Sequence, residues 1–309
     1  MKRELAPHTL HENESAQGPW VRVTLSRVRG SAPREQGACM LVGAAQARGS
    51  IGGGHLEFKA IATARELRAR WAAGESAEPH FENHALGPAL GQCCGGHVEL
   101  RFDPAASGAL PVPEPLFHLQ LFGAGHVGRA LVRALRPLPC TLDWIDEREQ
   151  EFPPDALAPG AGASWPSALR VLAVDAPEAE IATAPPGAFY LVMTHSHDLD
   201  FRLGETILRR ADAALPPDSL RASPPEGVSA PSERPCGTDI GWFGLIGSAT
   251  KRARFVRRWR ERGVSDEALK RLVCPVGIPG IPGKAPEVIA ASVAAQLLQV
   301  AARGGGQAS

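Results

Sequence analysis

The sequence predicts an α/β protein: a C-terminal Rossmann-like, doubly wound parallel sheet preceded by a smaller α+β domain. Three observations carry this. From residue 117 onward, apolar strand-like runs alternate with helix-like ones, the order expected of a parallel sheet covered on both faces. Over residues 19–103, strands with alternating apolar and polar residues surround one long amphipathic segment. Between the two, residues 104–116 have the Pro, Ala and Gly content of a linker. A chain of 309 residues also exceeds what one core usually organises, so two domains are expected.

The elements follow in order. Residues 1–18 are polar and are assigned as a flexible N-terminus; no apolar run follows the basic pair, so they do not form a signal peptide. From Trp20, "WVRVTLSRVRG" alternates like a strand, and "ACMLVG" fits its partner. In "HLEFKAIATARELRARWAAGE", Ala60, Ala64, Leu67 and Trp71 are spaced 4, 3 and 4 apart, one apolar face of a helix. "HVELRF" (97–102) is a further strand. After the linker, the domain 117–309 opens with "LFHLQLFGAGHVGRALVRAL", a strand, glycine turn and helix, and "CTLDWID" is its second strand. "RVLAVD" and "AFYLVMTHSHD" add two more, the latter leading into a helix with Leu203, Ile207 and Leu208. The Pro/Ser-rich stretch at about 213–239 is read as a disordered insertion. "GWFGLIGS" resumes as a strand, "KRARFVRRWRER" (251–262) is a basic helix anchored by Phe255 and Trp259, and "KAPEVIAASVAAQLLQVAAR" is the closing helix.

Composition narrows the function classes. Basic and acidic residues balance at 33 each, which disfavours binding of nucleic acid or a membrane surface by charge. No stretch approaches the ~18–20 apolar residues of a membrane span. Six irregularly spaced cysteines make no disulfide framework, so a cytoplasmic location is expected, with any working cysteine acting as a thiolate.

Four stretches bear chemistry. Gly123, Gly125 and Gly128 of "GAGHVG" follow a strand and open a helix, and Asp146 ends the next strand 23 residues on from Gly123. A nucleotide-binding crossover has that context, with the helix N–H groups, His126 among them, facing the phosphate. "MTHSHDLD" (193–200) lies at a strand's carboxyl end, facing the crevice. There His195 and His197 either cap the next helix or bond to backbone, or one contacts a ligand. The metallohydrolase pattern His-x-His-x-Asp-His is not met, because Asp198 directly follows His197. Gly52, Gly53 and Gly54 precede a helix and form either a tight turn or an anion-cradling nest, and Arg34 is either solvated or a fork for a phosphate or pterin edge. Glu57 is a dipole-favoured acid at that helix start. Finally, "GQCCGG" (91–96) holds Cys93 and Cys94 among glycines that expose a thiol and aim N–H groups at it, conditions that lower a thiol pKa. No CxxC spacing accompanies them, which disfavours zinc. Cys39 and Cys140 lie in apolar strand-like runs as inert core residues; Cys274 starts a loop that could approach the crevice. An NAD(P)-dependent oxidoreductase using the GAGHVG turn is the alternative on these motifs, although no acid/base constellation accompanies it.

Taken together, "GSAPREQGACMLV", "GSIGGGHLE", "GQCCGGHVEL", "LFGAGHVGRAL", "VMTHSHDLD", "GLIGSATKRARF" and "CPVGIPGIPGKAPEVIAASVAAQLL" resemble, in order, the XdhC/CoxI family of xanthine dehydrogenase accessory proteins. The resemblance implies a chaperone rather than an enzyme, one that carries the molybdenum cofactor, a molybdopterin holding molybdenum through a dithiolene. It implies support for sulfuration by a cysteine desulfurase and delivery to the molybdenum-binding subunit of xanthine dehydrogenase. Exchange with cofactor-biosynthesis proteins and a homodimeric state are implied as well. Carried onto this chain, Cys94 or Cys93 contacts molybdenum, as soft thiolates suit such a centre. The Gly123–Gly128 turn holds the molybdopterin phosphate with Asp146 and Arg148 near it, while Arg34 and Gly52–Gly54 contribute from the first domain. The insertion near 213–239 departs from the family pattern.

Overall fold

The computed structural model describes residues 19–86, 95–157, 168–213 and 240–305, in two compact units that divide between Val112 and Pro113. The flexible assignment of 1–18 and the insertion beyond Ala213 lie outside the described residues.

In the first unit, β1 (Trp20–Arg29), β2 (Cys39–Val42) and β3 (Ala47–Gly49) lead into α1 (Gly54–Ala72), followed by β4 (His80–Ala85) and β5 (His97–Ala105). The strands form one antiparallel sheet in the order β3-β2-β1-β5-β4. Leu56, Ala60, Ala64 and Leu67 of α1 bury against Val21, Val23, Leu25 and Leu100, and Trp71 packs half-buried at the helix end. Burial of each leucine contributes about 1.5–3 kcal/mol. The edge strand β4, "HFENHA", has no fully buried residue, so its sequence carries little strand signal. Strand β5 runs on to Ala105, opposite Trp20, two residues into the stretch read as linker. Gly108 then lies flat on the Trp20 indole, where an added Cβ would fall 2.5 Å from the ring.

The second unit runs β6 (His118–Phe122), α2 (His126–Leu135), β7 (Thr141–Asp146), the single turn α3 (Pro154–Leu157), β8 (Leu169–Ala173) and the single turn α4 (Pro177–Glu180). It continues with β9 (Ala188–Val192), α5 (His197–Ala213), β10 (Ile240–Leu245), α6 (Ala249–Glu261), the short α7 (Asp266–Leu269), β11 (Leu272–Val273) and α8 (Pro286–Gly305). The sheet is parallel throughout, in the order β11-β10-β9-β6-β7-β8. Helices cover both faces, so its strands carry apolar runs rather than alternation. In β9, Ala188, Tyr190 and Val192 join the layer under α5 and α6, while Phe189 and Leu191 join the layer under α2 and α8.

The basic helix α6 is capped by the Ser248 hydroxyl, which accepts the Lys251 N–H at 3.2 Å. Its anchors Phe255 and Trp259 are buried edge to face at 5.3 Å, and Trp259 stacks on Phe201 at 5.5 Å. The arginines are compensated close by: Arg260 pairs with Asp266, Arg262 with Glu205, and Arg258 lies 4.1 Å over the Phe201 ring.

A polar row crosses the interior of this sheet, unforeseen in the sequence. Tyr190, Gln120, Asp143 and Arg170 stand in register on four neighbouring strands. Asp143 accepts two guanidinium bonds from Arg170, at 2.9 and 3.2 Å, and His118 Nε2 lies 3.3 Å away. Burial opposes ionisation of Asp143, but His118, Arg170 and Gln120 outweigh it and hold the carboxyl below its ordinary range.

The Trp259 ring occupies the space above Gly204 in α5, where an added Cβ would meet it at 2.4 Å. Gly204→Ala is expected to destabilise, since overpacking costs about 1–3 kcal/mol against a helix-propensity gain of about 1 kcal/mol. Denaturant unfolding of the single variant, and of the same change in a Trp259→Leu background, checks this. The penalty should vanish once the ring is gone, and an unchanged midpoint in the single variant would contradict it.

Candidate cofactor site

The strand order reverses between β6 and β9, and ligands of open parallel sheets settle in the crevice at that switch point. The turn from β6 into α2 lies there. Gly123 has φ +124°, and an added Cβ would stand 2.4 Å from Met193 O; at Gly128 it would stand 2.2 Å from Gly123 O. Both positions therefore require glycine, one for conformation and one for the close approach of helix to turn.

The turn is held by side chains from α2, from β7 and from the segment after β7. Trp144 donates its indole N–H to Gly123 O at 3.0 Å. Arg129 Nε donates to Ala124 O at 2.9 Å, and its Nη2 pairs with Glu151 at 2.6 Å. Ala124 N–H donates to Asp146 Oδ2 at 2.7 Å. Asp146 also receives the Arg148 N–H, Nε and Nη2 at 2.9, 3.0 and 3.0 Å. Burial works against the charge on Asp146, yet these donors hold its carboxyl below the ordinary value, and the carboxylate in turn raises the pKa of Arg148.

What remains available is the N-terminus of α2. Gly125 is its N-cap, no side chain caps it, and the space in front of Gly125 is open. Among the described residues, the N–H groups of Gly125, His126 and Val127 meet no acceptor, and they sit at the positive end of the helix dipole. A cleft of about 690 Å³ runs from His126 along the outer side of α2, past Arg129 and Arg133, with Phe152 and Ala290 among its walls.

Opposite the turn, "THSHDLD" does not converge on a point. Thr194 N–H and Oγ1 donate to Asp200 Oδ1 at 3.0 and 2.7 Å. The other oxygen of Asp200 receives Lys251 Nζ, which also donates to Ile246 O at 2.9 Å, so this buried pair ties α5 to the end of β10 and to α6. Asp198 pairs with Arg202, and His195 is exposed with Nε2 3.5 Å from Glu147 Oε1. His197 begins α5 at the surface. The described residues contain no group of three potential metal ligands. Cys274, whose loop could approach the crevice by sequence, is buried against Ser248 O at 3.9 Å, and burial raises its pKa. Burial pushes the Cys140 thiol up to about 11, as suits a core residue.

The first unit gathers three sequence motifs that lie far apart in the chain. Pro33, beside Arg34, covers Gly52, where an added Cβ would be 2.4 Å from the proline ring. Gly96 lies against the same loop, with Ser31 O and Arg29 O within 2.2 and 2.7 Å of an added Cβ. Arg34 itself is exposed and 3.5 Å from Glu35. The glycine nest holds the chain's own anion: Glu57 Oε1 accepts Ser50 Oγ at 2.5 Å and the N–H groups of Ile51, Gly52 and Gly53 at 2.9, 3.2 and 2.8 Å. Burial opposes that charge, but the four donors lower the Glu57 pKa. Glu57 thus does more than complement a dipole; it closes the loop. Cys93 and Cys94 lie outside the described residues. Beside Gly96, a cleft of about 300 Å³ is lined by Arg27, Arg29, Asn83, His97 and Glu99. The two arginines alternate outward along β1 and gave no separate signal in sequence, because polar residues on that face are ordinary.

Comparison with known proteins bears on both units. A family model described as the XdhC Rossmann domain matches residues 119–215 and 232–297, and one described as the XdhC and CoxI family matches 14–78. The uncharacterized protein YqeB of Escherichia coli is 27% identical over 295 residues, 93% of this chain but 44% of YqeB, so the chain spans less than half of that relative. A Bacillus halodurans crystal structure described as a xanthine dehydrogenase shares the fold at TM-score 0.67 and 20% identity, over 95% of this chain and 94% of that one. No described helix is long and apolar enough to cross a membrane.

Asp146→Asn is expected to cost about 3 kcal/mol, because it removes one partner of a buried charge pair. The lowered carboxyl contributes its stability above the unfolded value of about 3.9 and loses it as pH falls through the folded value. The gap between wild type and variant should therefore narrow below about pH 4. Thermal unfolding across pH 3–7 measures it, and a gap that stays constant with pH would contradict the assignment.

Proposed function

The chain belongs to the XdhC and CoxI family, and on that premise we propose that it is an accessory protein that carries the molybdenum cofactor for xanthine dehydrogenase. The observation that carries the reading is the locked glycine turn with unused donors. Its carbonyls and the Ala124 N–H are committed to Trp144, Arg129 and Asp146, while the N–H groups of Gly125, His126 and Val127 meet no acceptor among the described residues. Such a helix start binds a phosphate with little reorganisation. The cleft beginning at His126 gives a fused-ring ligand room beside it.

In this reading the turn takes the molybdopterin phosphate, and Cys94 or Cys93 gives a soft sulfur contact to molybdenum. His195 and Arg148 are the further contacts this reading assigns to the second unit, and Arg34 and the Gly52–Gly54 loop those it assigns to the first. Asp146 serves by fixing the turn. The chain holds the cargo while a cysteine desulfurase supplies its terminal sulfur, then passes it to the molybdenum-binding subunit of the dehydrogenase. The protein's part is binding, shielding from water and release, with no turnover of its own.

Anaerobic binding of molybdenum cofactor to wild type, Cys93→Ala and Cys94→Ala tests this. Wild type should retain the cofactor through gel filtration, and at least one cysteine variant should bind about tenfold more weakly, or about 1.4 kcal/mol. Failure of wild type to bind would sink the carrier function. Equal retention by all three would remove the thiolate assignment and leave the carrier function standing.

A further inference from the structure

In a dinucleotide-binding crossover, the acid ending the second strand stands free and accepts the ribose hydroxyls. Asp146 occupies that position in sequence, but its side chain is only 3% exposed. A carboxylate has about four acceptor sites. Oδ2 takes Ala124 N–H and Arg148 Nη2, and Oδ1 takes the N–H and Nε of Arg148. Nothing is left for a hydroxyl pair.

We propose that the glycine turn selects a phosphate ester that brings no ribose diol to the end of β7, and that Arg148 is the residue setting this choice. The proposal rests on the reading of the turn as a phosphate site. Arg148 lies along the carboxylate as a two-pronged fork, and its Nη1 reaches Glu151 at 3.3 Å. A diol entering here has to break a partly buried charge pair and strand a desolvated carboxylate, a cost its own hydrogen bonds do not restore. Nor does Arg148 await the 2′-phosphate of a phosphorylated dinucleotide. Its Nε, Nη1 and Nη2 already face carboxylates, and Glu147 adds a third negative charge beside it. A phosphate ester that stops at the helix start meets only open N–H groups and avoids this acidic corner. The GAGHVG turn therefore resembles a dinucleotide fingerprint in sequence while lacking its ribose reader, which argues against the NAD(P) oxidoreductase alternative.

Calorimetric titration of the full chain with pyrophosphate, ADP-ribose and 2′-phospho-ADP-ribose provides the test. Wild type should bind pyrophosphate and gain nothing from the appended nucleoside, with affinities within about threefold. Arg148→Ala, which uncovers Asp146, should raise the ratio of ADP-ribose to pyrophosphate affinity about tenfold over that of wild type. Wild type preferring either nucleotide by about tenfold or more would overturn the proposal. So would an Arg148→Ala protein that melts cooperatively and shows no gain. The wild-type comparison decides the selectivity even if the variant does not fold. Absence of pyrophosphate binding would instead overturn the phosphate reading of the turn, and the proposal with it.

Discussion

A single buried carboxylate organises the crevice of the second unit. Asp146 ends β7, and its oxygens bind the Ala124 N–H of the neighbouring turn as well as the backbone and guanidinium of Arg148. That geometry joins the ends of β6 and β7, next to the point between β6 and β9 where the sheet order reverses. With the acid in place, Gly123 keeps its left-handed conformation, Trp144 reaches Gly123 O, and Arg129 clamps the next carbonyl. The forward-facing N–H groups are thus fixed by contacts behind them. A preorganised donor set of this kind costs a ligand little ordering entropy, which is where affinity is usually lost.

The first unit solves a similar problem in the same way. Glu57, from the first turn of α1, reaches back to the N–H groups of Ile51, Gly52 and Gly53. In both units a glycine-rich connection that would be mobile alone is stapled by one acid whose charge the local donors sustain. The difference lies in what stays free: in the first unit the carboxylate occupies the nest, whereas in the second it sits behind the turn and leaves the helix start open. Glycine loops of similar sequence thereby acquire different capacities for an external anion.

Much of this fold was legible in the sequence because its signals are local. The alternation of "WVRVTLSRVRG", the Ala60, Ala64 and Leu67 face and the strand-turn-helix of "LFGAGHVGRAL" each report a periodicity or a turn. Strands β3 and β4 were missed for the same reason, since an edge strand that is three residues long, or that has no fully buried face, imposes no such pattern. At the site, the glycines were legible because close approach leaves only one residue type. The state of Asp146 was not: a motif fixes where an acid stands, but the folded positions of Ala124, 22 residues away, and of the Arg148 guanidinium fix what its oxygens do. Likewise "HSHDLD" left open whether its residues cap a helix or meet a ligand, and Asp200 is drawn inward by Lys251, a residue 51 positions away.

The row of Tyr190, Gln120, Asp143 and Arg170 through the interior of the parallel sheet has a separate consequence. Apolar strands such as β6, β7 and β9 offer one another many nearly equivalent alignments, because valine, leucine and phenylalanine tolerate exchange of neighbours. A two-residue slip would keep every side chain on its proper face and still bury apolar surface. It would also carry Asp143 away from Arg170 and leave a charge in the interior without its counterpart. The row acts as an address written once across the strands, which makes the correct alignment of β6, β7 and β8 a matter of electrostatics, where oil-like packing alone is indifferent.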